Sequence, residues 1–104
     1  MNSFKDRENA FENKFAHDAE MQFKADARRN KLLGLWAAGL MDLAGEAADK
    51  YALSVIKSDF EEPGDEDVYR KVSGDLGERA DEATIRGQMT ALMAEAKSQL
   101  MDEV

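Results

Sequence analysis

The chain has 104 residues, of which 43% are hydrophobic and 35% charged, with a formal net charge of −8 and no cysteine. That length fits one domain with one modest core. The composition excludes a disulfide framework and cysteine-based metal or nucleophile chemistry, and its acidity argues against nucleic acid as the main partner, because neutralising phosphates needs a Lys/Arg surface.

No run approaches the ~18 apolar residues of a membrane span. The opening MNSFKDRENAF lacks the basic-then-apolar layout of a secretory signal. The expectation is a cytoplasmic protein without direct membrane insertion. Charge is distributed unevenly. Residues 1–23 hold three bases and five acids, residues 24–31 (KADARRNK) four bases and one acid, and the remaining 73 residues seven bases and sixteen acids. A short basic collar, Lys24, Arg28, Arg29 and Lys31, thus separates a mixed-charge head from an acidic body. The collar reads either as a solvated helix face or as a docking element for an acidic surface.

The first helical pattern runs from about Phe4 to Met41, with Ser3 as its cap. Phe4, Phe11, Phe15 and Ala19 fall at spacings of seven, four and four, which is one helical stripe embedded in charge. Leu33, Trp36, Leu40 and Leu43 form a denser stripe that must be buried. A helix of that length would extend ~57 Å, far beyond a small core. Residues 1–20 are therefore expected to project as a mobile segment from a bundle formed by residues 21–104.

Gly45 fits a break, and residues 46–58 place Ala48, Tyr51, Ala52, Val55 and Ile56 on one face of a second helix. The stretch SDFEEPGDED ends it, since Pro63 disfavours helix at Glu62 and Gly64 permits a tight turn. Asp65 is a good N-cap for a third helix over 66–77, with Val68, Val72 and Leu76 inward and Gly77 as its terminator. Asp81 caps a fourth helix to about Met101, with Ile85, Met89, Leu92, Ala96 and Leu100 as its stripe. The fold class is all-α: a four-helix bundle with a mobile N-terminal helical segment. The expected core is Leu32, Leu33, Trp36, Leu40, Tyr51, Val55, Ile56, Phe60, Val68, Val72, Leu76, Ile85, Met89, Leu92 and Leu100.

No catalytic constellation is legible, so the chain reads as a non-enzyme. The single histidine, His17, stands among Lys14, Asp18 and Glu20; it is either a solvated helix residue or a pH-responsive one. The acidic run from Asp59 to Asp67 lacks the alternating oxygens and central glycine of a calcium loop, so no metal site is expected. GLWAAGLMDLAG lacks the lysine and preceding strand of a phosphate cradle. The phenylalanine stripe is either ordinary core or a helix-in-groove ligand. In the second case Phe4, Phe11 and Phe15 are anchors, with Lys5, Arg7, Glu8, Glu12 and Lys14 at the rim.

The runs FENKFAHDAEMQFKADARRNKLLGLWAAGL (11–40) and SDFEEPGDEDVYRKV (58–72) resemble the ATP synthase inhibitor ζ subunit family of alphaproteobacteria, over essentially the whole chain. The resemblance implies a regulatory subunit of the F1Fo-ATP synthase whose N-terminal segment enters the catalytic α/β interface of F1 near γ. There it would block rotation in the hydrolysis direction, like a pawl. It implies a partner-binding segment of Phe4, Arg7, Glu8, Phe11, Glu12, Lys14, Phe15 and His17, with Lys24, Arg28, Arg29 and Lys31 as a secondary docking collar. It also implies a monomer when free, peripheral to the inner membrane through F1, with no required cofactor. Asn9 stands where the family more often carries a charge. A helical ligand-binding module that senses adenine nucleotide, weakly bound, is the alternative.

Overall fold

The computed structural model describes residues 18–60 and 64–103. These form four α-helices: α1 (Ala19–Leu40), α2 (Gly45–Ser58), α3 (Glu66–Leu76) and α4 (Glu82–Glu103), with a 3-10 turn at Gly77–Arg79 before α4. The fold is an all-α four-helix bundle, without strands among the described residues. The expected partner-binding residues from Phe4 to His17, and the Pro63 turn with Glu61 and Glu62, lie outside the described residues.

Of the continuous helix expected from Phe4 to Met41, the described part begins at Ala19, behind an N-cap at Asp18. That residue is extended (φ −117°, ψ 101°), and its carboxylate accepts the Met21 N–H at 3.1 Å. A short acceptor at this position satisfies one of the free N–H groups of the first turn, and Glu20 adds a second anion at the positive end of the helix dipole. The sequence hides this boundary because the stripe of Phe11, Phe15 and Ala19 keeps its period straight across the cap. At the other end, the Leu43 N–H donates to the Ala38 carbonyl at 2.9 Å while Asp42 takes φ +60°. This is a helix closure through one left-handed residue, a role aspartate tolerates. The break expected at Gly45 thus comes three residues early, and Gly45 instead opens α2.

Packing of α1 on α2 is set by small residues. A Cβ built on Gly34 would lie 2.6 Å from Ala52 Cα, so the two backbones meet where neither side chain could be larger. The main core then fills with Leu33, Ala37, Val55, Val68, Val72, Leu76, Ile85 and Met89, flanked by Trp36, Tyr51 and Leu92. A smaller cluster of Met21, Ala25 and Leu100 joins the start of α1 to the end of α4. Two expected core residues are not core. Leu40 is 40% exposed at the last turn of α1, and Phe60 is 65% exposed just past the end of α2. Leu32 and Ile56 are half-buried.

The helix ends follow the sequence with one exchange. Asp81 caps α4, accepting the Thr84 N–H at 2.9 Å, and this bonding to Thr84 holds its carboxyl below the usual aspartate range. Gly77 ends α3 at φ +58°, where a side chain would be strained. Asp65 precedes α3 as expected but makes no side-chain cap. Its carboxylate is turned to Arg29 of α1 instead.

Candidate functional site

The basic collar divides among four environments. Lys24 is exposed and pairs with Glu20 one turn earlier at 3.3 Å. Lys31 is exposed on the same side of α1. Arg28 reaches across to α4, donating to Gln99 at 2.8 Å and pairing with Glu103 at 2.9 Å. The Arg28 bond lowers the Glu103 carboxyl from its ordinary range.

Arg29 is not available to a docking surface. Its side chain is 2% exposed, with Nη2 on Asp65 Oδ1 at 2.7 Å and Nε on Asn30 Oδ1 at 2.6 Å. A charge-assisted pair of this kind ties α1 to the start of α3, which explains why Asp65 does not cap. The collar is therefore Lys24 and Lys31 exposed on the surface, Arg28 bracing α4, and Arg29 inside the bundle.

Beside the collar lies a surface that the sequence did not suggest. Phe23 is 57% exposed and Phe60 is 65% exposed, their rings 6.1 Å apart between centroids and tilted by 32°. They stand at the mouth of a cleft of about 240 Å³ between α1, the end of α2 and the approach to α3. Asp26, Ala27, Asn30, Ile56, Asp59 and Asp65 complete its walls. Lys24, Ala27, Arg28, Lys31 and Ile56 border an adjoining groove of about 520 Å³ along the same helix. Phe23 continues the stripe of Phe11, Phe15 and Ala19 at the same spacing of four, and this signal was present in the sequence. Phe60, by contrast, reads as core until the chain is seen to turn outward after α2.

The cleft is acidic. Asp26 has its carboxyl raised above the ordinary value, chiefly by burial, with Asp59 and Asp65 adding repulsion against the opposing pull of a Gln22 hydrogen bond and the Arg29 charge. Asn30 is fully buried, and its orientation is fixed because Oδ1 must face the Arg29 N–H. Its Nδ2 is consequently left without an acceptor. No base is among the residues lining this cleft, so its field repels the phosphates that an adenine nucleotide would bring. Among the described residues no helix is long and apolar enough to cross a membrane.

The cleft and groove lie on the outer surface of the bundle, and known proteins place the chain in a lineage. The sequence model for ATPase inhibitor subunit zeta matches residues 1–99. A structure determined by solution NMR is 57% identical, with a TM-score of 0.76, covering 81% of this chain and 99% of its own. No curated protein matches.

Proposed function

We propose a function from the premise that this chain belongs to the ATPase inhibitor subunit zeta family: it is a regulatory, non-catalytic subunit that holds F1 against ATP hydrolysis through its N-terminal segment. Phe4, Phe11 and Phe15 are the anchors in the α/β interface near γ. Arg7 and Lys14 pair with acids there, while Glu8, Glu12 and His17 form the rim. Lys24 and Lys31 meet the outer edge of F1. Rotation in the hydrolysis direction drives the segment deeper, and rotation in the synthesis direction releases it.

The single observation that carries this reading is the family match, because it begins at residue 1 and so includes the phenylalanine stripe. Two features of the body agree with it. The described residues alone enclose a core of eight buried side chains. The described helix α1 begins at Ala19 behind its Asp18 cap, which is compatible with a separate segment over residues 1–20. Ordering a segment on docking costs roughly 1–2 kcal/mol per residue in backbone entropy. All three rings must therefore be buried by the partner for useful affinity.

The test is ATP hydrolysis by purified F1 of the host, titrated with the full chain and with Phe11→Ala. The wild type should suppress hydrolysis, and loss of an anchoring ring should raise the half-inhibitory concentration by at least about tenfold. Unchanged hydrolysis in the presence of the wild type would overturn the assignment. Equal potency of the two proteins would overturn the role of the stripe.

A further inference from the structure

We infer that the cleft between Phe23 and Phe60 is a receptor for an arginine side chain presented by the ATP synthase partner, a second contact distinct from the N-terminal segment. The inference rests on the reading above for the partner's identity, though not for the chemistry of the cleft.

The chemistry is that of guanidinium recognition. Two phenyl rings, each more than half exposed, border a cavity whose charged residues are all carboxylates. Aromatic faces attract a cation through the ring quadrupole, and a guanidinium is the cation that also stacks flat on them. Asp59 has no ion-pair partner among the described residues and stands on the same wall as Phe60. Asp26 lies opposite on α1, below Phe23. Its half-buried carboxylate is disfavoured by desolvation and by its acidic neighbours, and the charge of an incoming cation would offset both. These acids are not gathered as a metal cage: among the described residues no three acidic or histidine side chains group closely enough to hold an ion. A planar fork can span carboxylates that one ion cannot.

The second, independent observation is Asn30. It is fully buried in the wall of this cleft, with Nδ2 lacking any acceptor. A buried amide donor without an acceptor is a cost to the isolated fold, which a bound acceptor would remove. A main-chain carbonyl of the arginine-bearing segment supplies the missing acceptor. A cation for the carboxylates and a carbonyl for the amide together describe an arginine within a peptide.

The groove beside the cleft fixes the direction of approach. Lys24 and Lys31 border it, so the partner surface must place its arginine toward Phe60 and its acids toward Lys31. Complementarity of both signs sets one register and rejects the reverse.

Two measurements on the full-length protein decide the matter. In the first, N-acetyl-arginine N-methylamide is titrated while the Asn30 side-chain amide and the Phe23 and Phe60 rings are followed by NMR. A neutral citrulline analogue, ADP, and a peptide of residues 1–17 run as parallel arms. We expect saturable shifts at these three residues with the arginine compound at roughly millimolar concentration. They should be lost in Asp59→Asn and weaker with the citrulline analogue.

In the second, the Kd for F1 is compared between wild type and the Asp26→Asn, Asp59→Asn double variant. The loss should be about tenfold, with no fall in melting temperature. No shift with the arginine compound overturns the inference, as does an unchanged Kd in the double variant. Stronger binding of ADP, or of the 1–17 peptide, at the same residues also overturns it and names the occupant instead. If the wild type does not bind F1 at all, the functional reading fails, and the first titration still decides whether the cleft takes arginine.

Discussion

Gly34 is the position where the bundle has least room, and Gly34→Ala measures how far the fold depends on it. The added methyl would sit 2.6 Å from Ala52 Cα, 3.1 Å from Ala52 Cβ and 3.3 Å from Val55 Cγ2. Carbon atoms are comfortable at ~3.5–4.0 Å, so α1 and α2 must separate by about 1 Å. The nearest atom is backbone inside a helix and cannot rotate aside. Separation then opens a gap between Leu33 and Ala37 on one helix and Val55 on the other, all fully buried. Overpacking of this kind costs ~1–3 kcal/mol, and alanine's better helix propensity returns ~1. With rigid backbone as the obstacle, the net loss should be about 2 kcal/mol. For a domain of this size that lowers Tm by roughly 8–16 °C. Gly87→Ala on the open face of α4 is the control: nothing lies within 4 Å of the added Cβ. Only propensity acts there, so stability should rise by ~0.5–1 kcal/mol. Thermal unfolding followed by far-UV circular dichroism reads both variants against wild type. A Gly34→Ala protein that melts at or above the wild-type temperature would show that the helix approach is not tight and refute the packing argument.

Other consequences can be checked by similar means. Arg29→Ala should cost about 3 kcal/mol in urea unfolding, because it strips the donor from Asn30 Oδ1 and removes a buried stem; Arg29→Met should recover part of this by restoring the stem. Asp65→Asn should cost about 1–3 kcal/mol: Asp65 is itself 55% exposed, but the change leaves the buried Arg29 guanidinium without its counter-charge. Asp26→Asn should raise stability at neutral pH. The folded-state pKa of Asp26 lies above its unfolded value, so the aspartate contributes most when protonated and loses that contribution as pH rises through the folded pKa. The advantage of the variant should therefore vanish on acidification below the ordinary aspartate value of 3.8, and urea midpoints across this range would read it. A constant advantage at every pH would mean that the carboxyl is not strained by its surroundings.

The three later helices were legible because their signals are local. Val68, Val72 and Leu76 repeat at four, Gly77 supplies the left-handed terminator, and Asp81 bonds to Thr84 within one turn. The tertiary choices were not legible. Small residues such as Ala25, Ala37 and Ala38 are buried, yet alanine carries little hydrophobic signal and these had no place in the expected core. Close helix approach selects them, and that depends on a partner helix far away in sequence. Phe60 shows the opposite error: an aromatic ring after a helix reads as core, but the chain leaves α2 at Asp59 and carries the ring outward. Arg29 was indistinguishable in sequence from Arg28 beside it. Neighbouring positions on a helix are turned about 100° apart, and only the fold determines which of the two faces the interior. Asp65 was recognised as polar and well placed for a cap, but a buried guanidinium 36 positions earlier outcompeted the cap for its carboxylate.

α1 divides along its length, and the division of labour follows from side-chain size. Its later stretch carries Leu33, Gly34, Ala37 and Ala38, mostly small buried residues that let α2 approach closely. Its earlier stretch carries Phe23, Ala27 and Lys31, bordering the cleft and groove. Phe23 stands about three turns before Gly34 on the same side of the helix, so it meets Phe60 past the end of α2 rather than the close contact at Ala52. Stability and recognition are thus written on successive stretches of one helix. Changes in the two stretches should separate cleanly. Phe23→Ala should weaken association with F1 while shifting stability by under ~1 kcal/mol, since that ring is already mostly in water. Gly34→Ala should lower stability while leaving the affinity of the folded fraction for F1 unchanged. If Phe23→Ala instead lowers Tm as much as Gly34→Ala does, the outer ring supports the fold and this division fails.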